Sequence, residues 1–195
     1  MTQAPKQKSQ WLPPASLPSP LTTVAFVLEP LHEKHTERDF RAFMSCRERL
    51  RKELQWGTWP PAGFTPEDNR VDLRRHFEEF ESGFAFAYTV LSPDRQRCLG
   101  CIYIERCDEI AGAQLAFWVT DEAFDIEELL VSEVLNRIHT DWPIDRVLIP
   151  LRETNVRGIA LAQKLGLKTH NCSSDSSLAE HRCFLSDSAS AEQNR

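Results

Sequence analysis

DRVLIPLRETNVRGIALAQKLGL, residues 145–167, holds a complete strand-to-helix unit. Arg146 to Leu151 is rich in β-branched residues and leucine, which predicts a buried strand. Thr154-Asn155 then offers caps for a short amphipathic helix, and Gly166 follows as its stop. Polar groups are therefore held at the exit of a buried strand, where α/β sheets place their ligands.

Upstream, Val131, Val134, Leu135, Ile138 and Trp142 share one stripe of a helix expected over about 126–141, with Pro143 stopping it. Ala113 to Val119 predicts a strand, and Leu99 to Glu105 another. Phe84, Phe86, Tyr88 and Val90 alternate with Ala85, Ala87 and Thr89, so this strand has both faces covered. Ser92-Pro93-Asp94 turns the chain between the last two strands and makes them an antiparallel hairpin. Before them, Phe40, Phe43, Met44, Leu50 and Leu54 predict one helix over 36–55. A second helix starts at Thr65-Pro66-Glu67-Asp68, where threonine caps, proline suits the first position and acids meet the positive end of the dipole. Its buried face is Leu73, Phe77 and Phe80. Val24 to Leu28, ended by Glu29-Pro30, opens the sheet, and 178–185 supplies a last, weaker strand. An antiparallel meander followed by a strand-helix-strand-helix crossover gives an α/β (α+β) fold. It has a mixed, mainly antiparallel central sheet of about six to seven strands flanked by helices.

Residues 1–20 carry five of the twelve prolines with Ser, Gln and Lys, which predicts a disordered leader, and the polar residues 186–195 predict a disordered tail. Between them, 21–185 is expected to be a single domain, because 195 residues at 41% hydrophobic content supply one substantial core. A formal charge of −6 argues against a nucleic-acid partner. No stretch reaches the ~20 apolar residues of a membrane span, so no membrane partner and a cytoplasmic location are expected. The six cysteines lack the density of a disulfide scaffold and are read as reduced thiols. Cys98-Leu99-Gly100-Cys101, with Cys107 beyond, looks like half a zinc site. No second pair follows, however, and alternation along a strand would turn Cys98 and Cys101 to opposite faces, so no metal is expected. The six histidines, His76 and His170 among them, have no metal spacing and no nucleophile partner.

A strand running into Asn155, a short helix and Lys164-Leu165-Gly166-Leu167 resembles the C-terminal signature of the GNAT superfamily of acyl-CoA-dependent N-acyltransferases, and the order of elements over 24–170 extends the resemblance. It implies that strands 113–119 and 146–151 part like a V, and that acetyl-CoA enters the gap as a pseudo-strand along Phe117, Trp118 and Val119. It also implies that Asn155 contacts the cofactor, although a plain helix cap is an equal reading of that residue. The loop holding Trp56, Trp59 and Phe64 covers the acceptor side in the family, so these aromatics form either a substrate wall or a local lid core.

The chain departs from the family after Val119. Where a glycine-rich loop binds pyrophosphate in the family, it has Thr120-Asp121-Glu122-Ala123-Phe124-Asp125-Ile126-Glu127-Glu128, with Phe124 and Ile126 at the glycine positions and five carboxylates opposing an anion. Arg157 or Arg152 could compensate. Gln114 stands where many members have a base, and Ala162 where many have a tyrosine acid. Glu105, with Asp108 and Glu109 behind it, is the nearest catalytic substitute. The resemblance thus implies an N-acetyltransferase acting on the amine of a small molecule or amino-acid-like acceptor. The alternative is an inactive GNAT-fold ligand-binding or interaction module, and a homodimer is left open.

Overall fold

The computed structural model describes residues 21–57, 59–142, 144–172, 178 and 180–188. The expected leader 1–20, most of the expected tail, and Pro143 lie outside the described residues.

Seven strands form one sheet: β1 (Val27–Pro30), β2 (Ala85–Leu91), β3 (Cys98–Cys107), β4 (Gly112–Val119), β5 (Arg146–Arg152), β6 (Lys168–His170) and β7 (His181–Asp187), in the order β1-β2-β3-β4-β5-β7-β6. Every neighbouring pair is antiparallel except β4 and β5. Among the described residues five helices flank the sheet: α1 (Thr36–Ser45), α2 (Arg47–Leu54), α3 (Pro66–Glu81), α4 (Glu127–Asp141) and α5 (Val156–Lys164).

Alternation along the strands sorts the side chains into two layers. Phe86, Ile102, Leu115, Val147, Ile149 and Phe184 pack with α4 and α5 on one face. Ala87, Cys101 and Trp118 pack with Phe43, Leu50 and Leu73 from α1, α2 and α3 on the other. Thr65 caps α3 as expected: its hydroxyl accepts the Asp68 amide at 3.2 Å, and the Asp68 carboxylate accepts the Thr65 amide at 2.9 Å, closing a capping box.

Four local expectations are corrected. The helix predicted over 36–55 is two helices, because Cys46 leaves helical geometry at φ −120°, ψ 20°. This bend lays α2 across the end of β4. The opening strand begins at Val27 and takes in Pro30, which an edge strand tolerates. The short polar β6 was not expected. The expected tail begins inside β7, which runs to Asp187, and the Ser188 amide donates to the Asp145 carbonyl at 2.9 Å.

Cys98 and Cys101 do not face opposite ways. Val90 pairs with Gly100 but Leu91 with Cys98, so Leu99 is an extra residue that turns both thiols to one side. Both reach Oδ1 of buried Asp39, Cys101 at 3.2 Å and Cys98 at 3.9 Å.

Candidate functional site

The parallel junction of β4 and β5 consists of two register pairs, Ala113 with Val147 and Gln114 with Leu148. Gly112 lies just before them, and a Cβ there would stand 2.3 Å from the Arg146 carbonyl oxygen, so glycine permits the close approach at the narrow end. Beyond Gln114 the strands part. Leu115, Ala116 and Phe117 of β4 then face Ile149, Pro150 and Leu151 of β5 across a cleft that Asn155 also lines. Its free space is about 20 Å³, the room of a single water, because Glu53 and Leu54 of α2 lean into it.

A larger cavity, about 380 Å³, opens on the α3 side of the same strands. Trp56 and Trp59 wall it with ring centroids 5.7 Å apart, and Tyr103 stands edge-on to Trp56 at 5.3 Å. Asp72 and His76 enter from α3, and Glu105 and Gln114 from the sheet. Glu105 and Gln114 are direct cross-strand partners, so the carboxylate lies beside the amide on the same face. His76 Nε2 is 3.7 Å from the Asp72 carboxylate, and its ring centroid is 5.5 Å from that of Tyr103. Burial holds the Tyr103 hydroxyl protonated, pushing it well above its usual range.

The segment after Val119 is a 3-10 turn, Asp121–Ile126, and Asp121 and Glu122 in it, like Glu127 and Glu128 just beyond, are engaged by arginines and a lysine of the protein itself. Arg49 donates to the Val119 carbonyl at 2.5 Å, to Asp121 at 2.6 Å and to Glu53 at 2.6 Å. Arg157 bonds Glu127, lies 3.7 Å from Glu53, and stacks 3.7 Å over the Phe124 ring, with Arg49 4.9 Å from the same ring. Burial raises the Glu127 carboxyl while Arg157 pulls it back. Lys164 holds Glu128. The start of α4 is therefore already supplied with negative charge.

No protein-family model matches the sequence, and no curated protein sequence matches it either. Solved structures do match. The ribosomal-protein-S5-alanine acetyltransferase of Vibrio fischeri superposes with a TM-score of 0.72 at 13% identity, covering 88% of this chain and 97% of that one. RimL, a ribosomal L7/L12 alpha-N-protein acetyltransferase in complex with coenzyme A, gives 0.68 at 16%, over 85% and 95%. FdhC, a nucleotide-linked sugar GNAT, gives 0.68 at 10%, over 91% and 95%. The chain has the GNAT fold.

In this GNAT-fold chain the expected site residues fall into four places: the large cavity, the narrow cleft, the core layer under α1–α3 and the cluster around Arg49 and Arg157. Trp56, Trp59 and Glu105 meet in the large cavity. Phe64 does not: its ring packs 5.8 Å from Phe43 in the core behind the loop. Phe117 and Asn155 line the narrow cleft, and Asn155 also caps α5 by accepting the Gly158 amide at 2.9 Å. Trp118 points away from the cleft into the α1–α3 layer, where Nε1 donates to Tyr103 Oη at 3.4 Å, so its side chain does not line the gap. Val119 offers its carbonyl, which Arg49 takes, and Arg157 is held by Glu127 and Glu53. Asp72, His76, Tyr103 and Arg49 were not singled out in the sequence. In α3, the Asp72, Arg75, His76 and Glu79 spacing is that of ion pairs on a solvated helix face, and this signal does not separate a cavity wall from a surface.

Proposed function

We propose that this chain is an acyl-CoA-dependent N-acetyltransferase acting on the amine of an amino-acid-like acceptor, free or at the start of a polypeptide. One observation carries the reading. The β4–β5 cleft, with backbone beyond Gln114 that has no partner strand, adjoins a cavity in which Trp56, Trp59, Asp72, His76 and Glu105 converge. Unpaired strand backbone suits the amides of a pantetheine arm. Indole faces and carboxylates suit a cationic amine. The acceptor class also draws on the structural neighbours, two of which are ribosomal-protein acetyltransferases.

Acetyl-CoA, when bound, supplies the activated acetyl group. The backbone of β4 and β5 beyond Gln114 would hold its arm, which needs more room than the present cleft gives and so displacement of Glu53 and Leu54, whereas the segment after Val119, where no glycine stands, does not fit its diphosphate. Arg49 and Arg157, adjacent on Phe124, are the groups that would meet it. Within the cavity, where Arg75 holds Asp72 at 2.7 Å, the tryptophan faces hold the ammonium form, Glu105 takes the proton that makes the amine nucleophilic, and Gln114 orients it by hydrogen bonding.

Acetyl-CoA titrated into the protein should raise Tm saturably. Acetyl transfer to amino acids and short peptides should then be measurable, and Glu105→Gln should lower kcat by about 10²-fold or more while leaving the acetyl-CoA shift intact. No shift at roughly millimolar acetyl-CoA would remove the transferase reading and leave a GNAT-fold binding module.

A further inference from the structure

The sheet face that carries the large cavity continues across β5 to a second cluster of side chains, which the proposed reaction does not use. His170 of β6 pairs directly with Cys183 of β7, so their side chains share a face, and Cys172, two residues on, follows His170. Glu109 reaches the same place from the turn between β3 and β4. A carboxylate oxygen of Glu109, a ring nitrogen of His170 and Sγ of Cys172 all lie within 4.8 Å of one another. Sγ of Cys172 is 2.8 Å from Sγ of Cys183. Cys107, at the end of β3, packs behind them in the same buried cluster.

We propose that Glu109, His170, Cys172 and Cys183 form a zinc site. Two sulfurs with one imidazole and one carboxylate select a borderline-soft ion that accepts four ligands, and they disfavour calcium or magnesium, which require oxygen. Zinc–ligand distances of about 2.0–2.3 Å place tetrahedral ligand atoms roughly 3.3–3.8 Å apart. Binding therefore draws the Glu109–His170–Cys172 triangle inward, opens the sulfur pair by about 1 Å, and brings in Cys183, whose thiol touches Cys172 but does not lie within 4.8 Å of all three. Each thiol releases its proton to solvent as the thiolate binds. The metal would staple the β3–β4 turn to the last hairpin, whose outer strand is only three residues long.

The test uses the full chain purified in reductant, stripped with chelator and titrated with cobalt(II), with metal content read by mass spectrometry after zinc reconstitution. One metal per chain and a thiolate-to-cobalt charge-transfer band are expected. Cys172→Ser and His170→Ala should each lose at least the roughly 10–100-fold in affinity that changes outside the ligand shell already cost, while Cys101→Ser, in the separate Asp39 cluster, keeps the full signal. If a ligand variant fails to fold, Cys101→Ser still decides: a band kept in full when the other thiol cluster is broken assigns the sulfur ligation to this one, and a band lost there overturns it. The proposal is overturned by a reduced protein that takes up no stoichiometric cobalt, or by signal lost in Cys101→Ser instead. A Cys172–Cys183 cross-linked peptide in a protein two hydrogens lighter would equally overturn it. Acetyl-CoA binding is a separate readout, so the failure of either reading leaves the other standing.

Discussion

His35 and Asp39, one helical turn apart at the start of α1, titrate in opposite senses. Burial holds the Asp39 carboxyl up at about 6, against the hydrogen bonds from Asn69 and Cys101 that lower it. The unfolded chain ionises this group from its ordinary value of 3.8, so between those two values the folded state binds more protons and Asp39 removes stability as pH rises. Burial pushes His35 down to about 4 from 6.5, so it does the reverse: the stability it contributes is present above pH 6.5 and lost as pH falls toward 4. Each shift corresponds to something on the order of 3 kcal/mol, and over the shared window the two slopes largely cancel. Asp39→Asn should remove the opposing slope, so the unfolding free energy by urea denaturation should climb more steeply from pH 4 to 6 in the variant than in the unaltered protein. Equal slopes in variant and parent would refute the burial argument for Asp39. Neither effect was legible in the sequence, where Asp39 and His35 read as ordinary charges of a helix start, because the Cys98–Cys101 bulge and Asn69 that enclose Asp39 come from distant segments. Trp56, Trp59 and Glu105 could be nominated because a broken aromatic loop and a strand-end acid are local signals, whereas Phe64 shares the loop but faces the core.

Gly112 shows how one position governs two strands. Alanine there meets the Arg146 carbonyl at 2.3 Å, and since both partners are backbone, β4 and β5 must separate at the end where they now pair. Gly112→Ala should therefore cost roughly 2 kcal/mol or more in chemical denaturation. A cost within about 0.5 kcal/mol, that of an ordinary surface substitution, would mean the junction has slack. Strands and helices with strong periodicity were readable, α3 down to its cap. The break at Cys46 was not, because the apolar stripe continues across it with no glycine or proline. β6 escaped because Lys168-Thr169-His170 is polar and becomes a strand only by pairing with β7.

The molecule as a whole narrows the β4–β5 cleft through α2. Glu53 is the hub, holding both Arg49 and Arg157, while Thr154 donates to the Lys52 carbonyl at 2.6 Å. Glu53→Gln should lower the Tm of the free protein slightly and tighten acetyl-CoA binding up to about fivefold by calorimetry, the worth of roughly 1 kcal/mol of ion pairing at partly exposed sites. Weaker binding would show that Glu53 supports the diphosphate arginines and does not compete for them. The V between β4 and β5 could be anticipated only through resemblance, because no periodicity marks where two strands diverge. The rims of the sheet give that V its meaning. β1 stops after four residues at a proline and β6 after three, so neither border offers a template long enough to recruit a foreign strand. Where β4 and β5 part, the sheet also leaves main-chain donors and acceptors vacant in its middle, so an extended guest there would add as an inlaid rib and not as a further border strand.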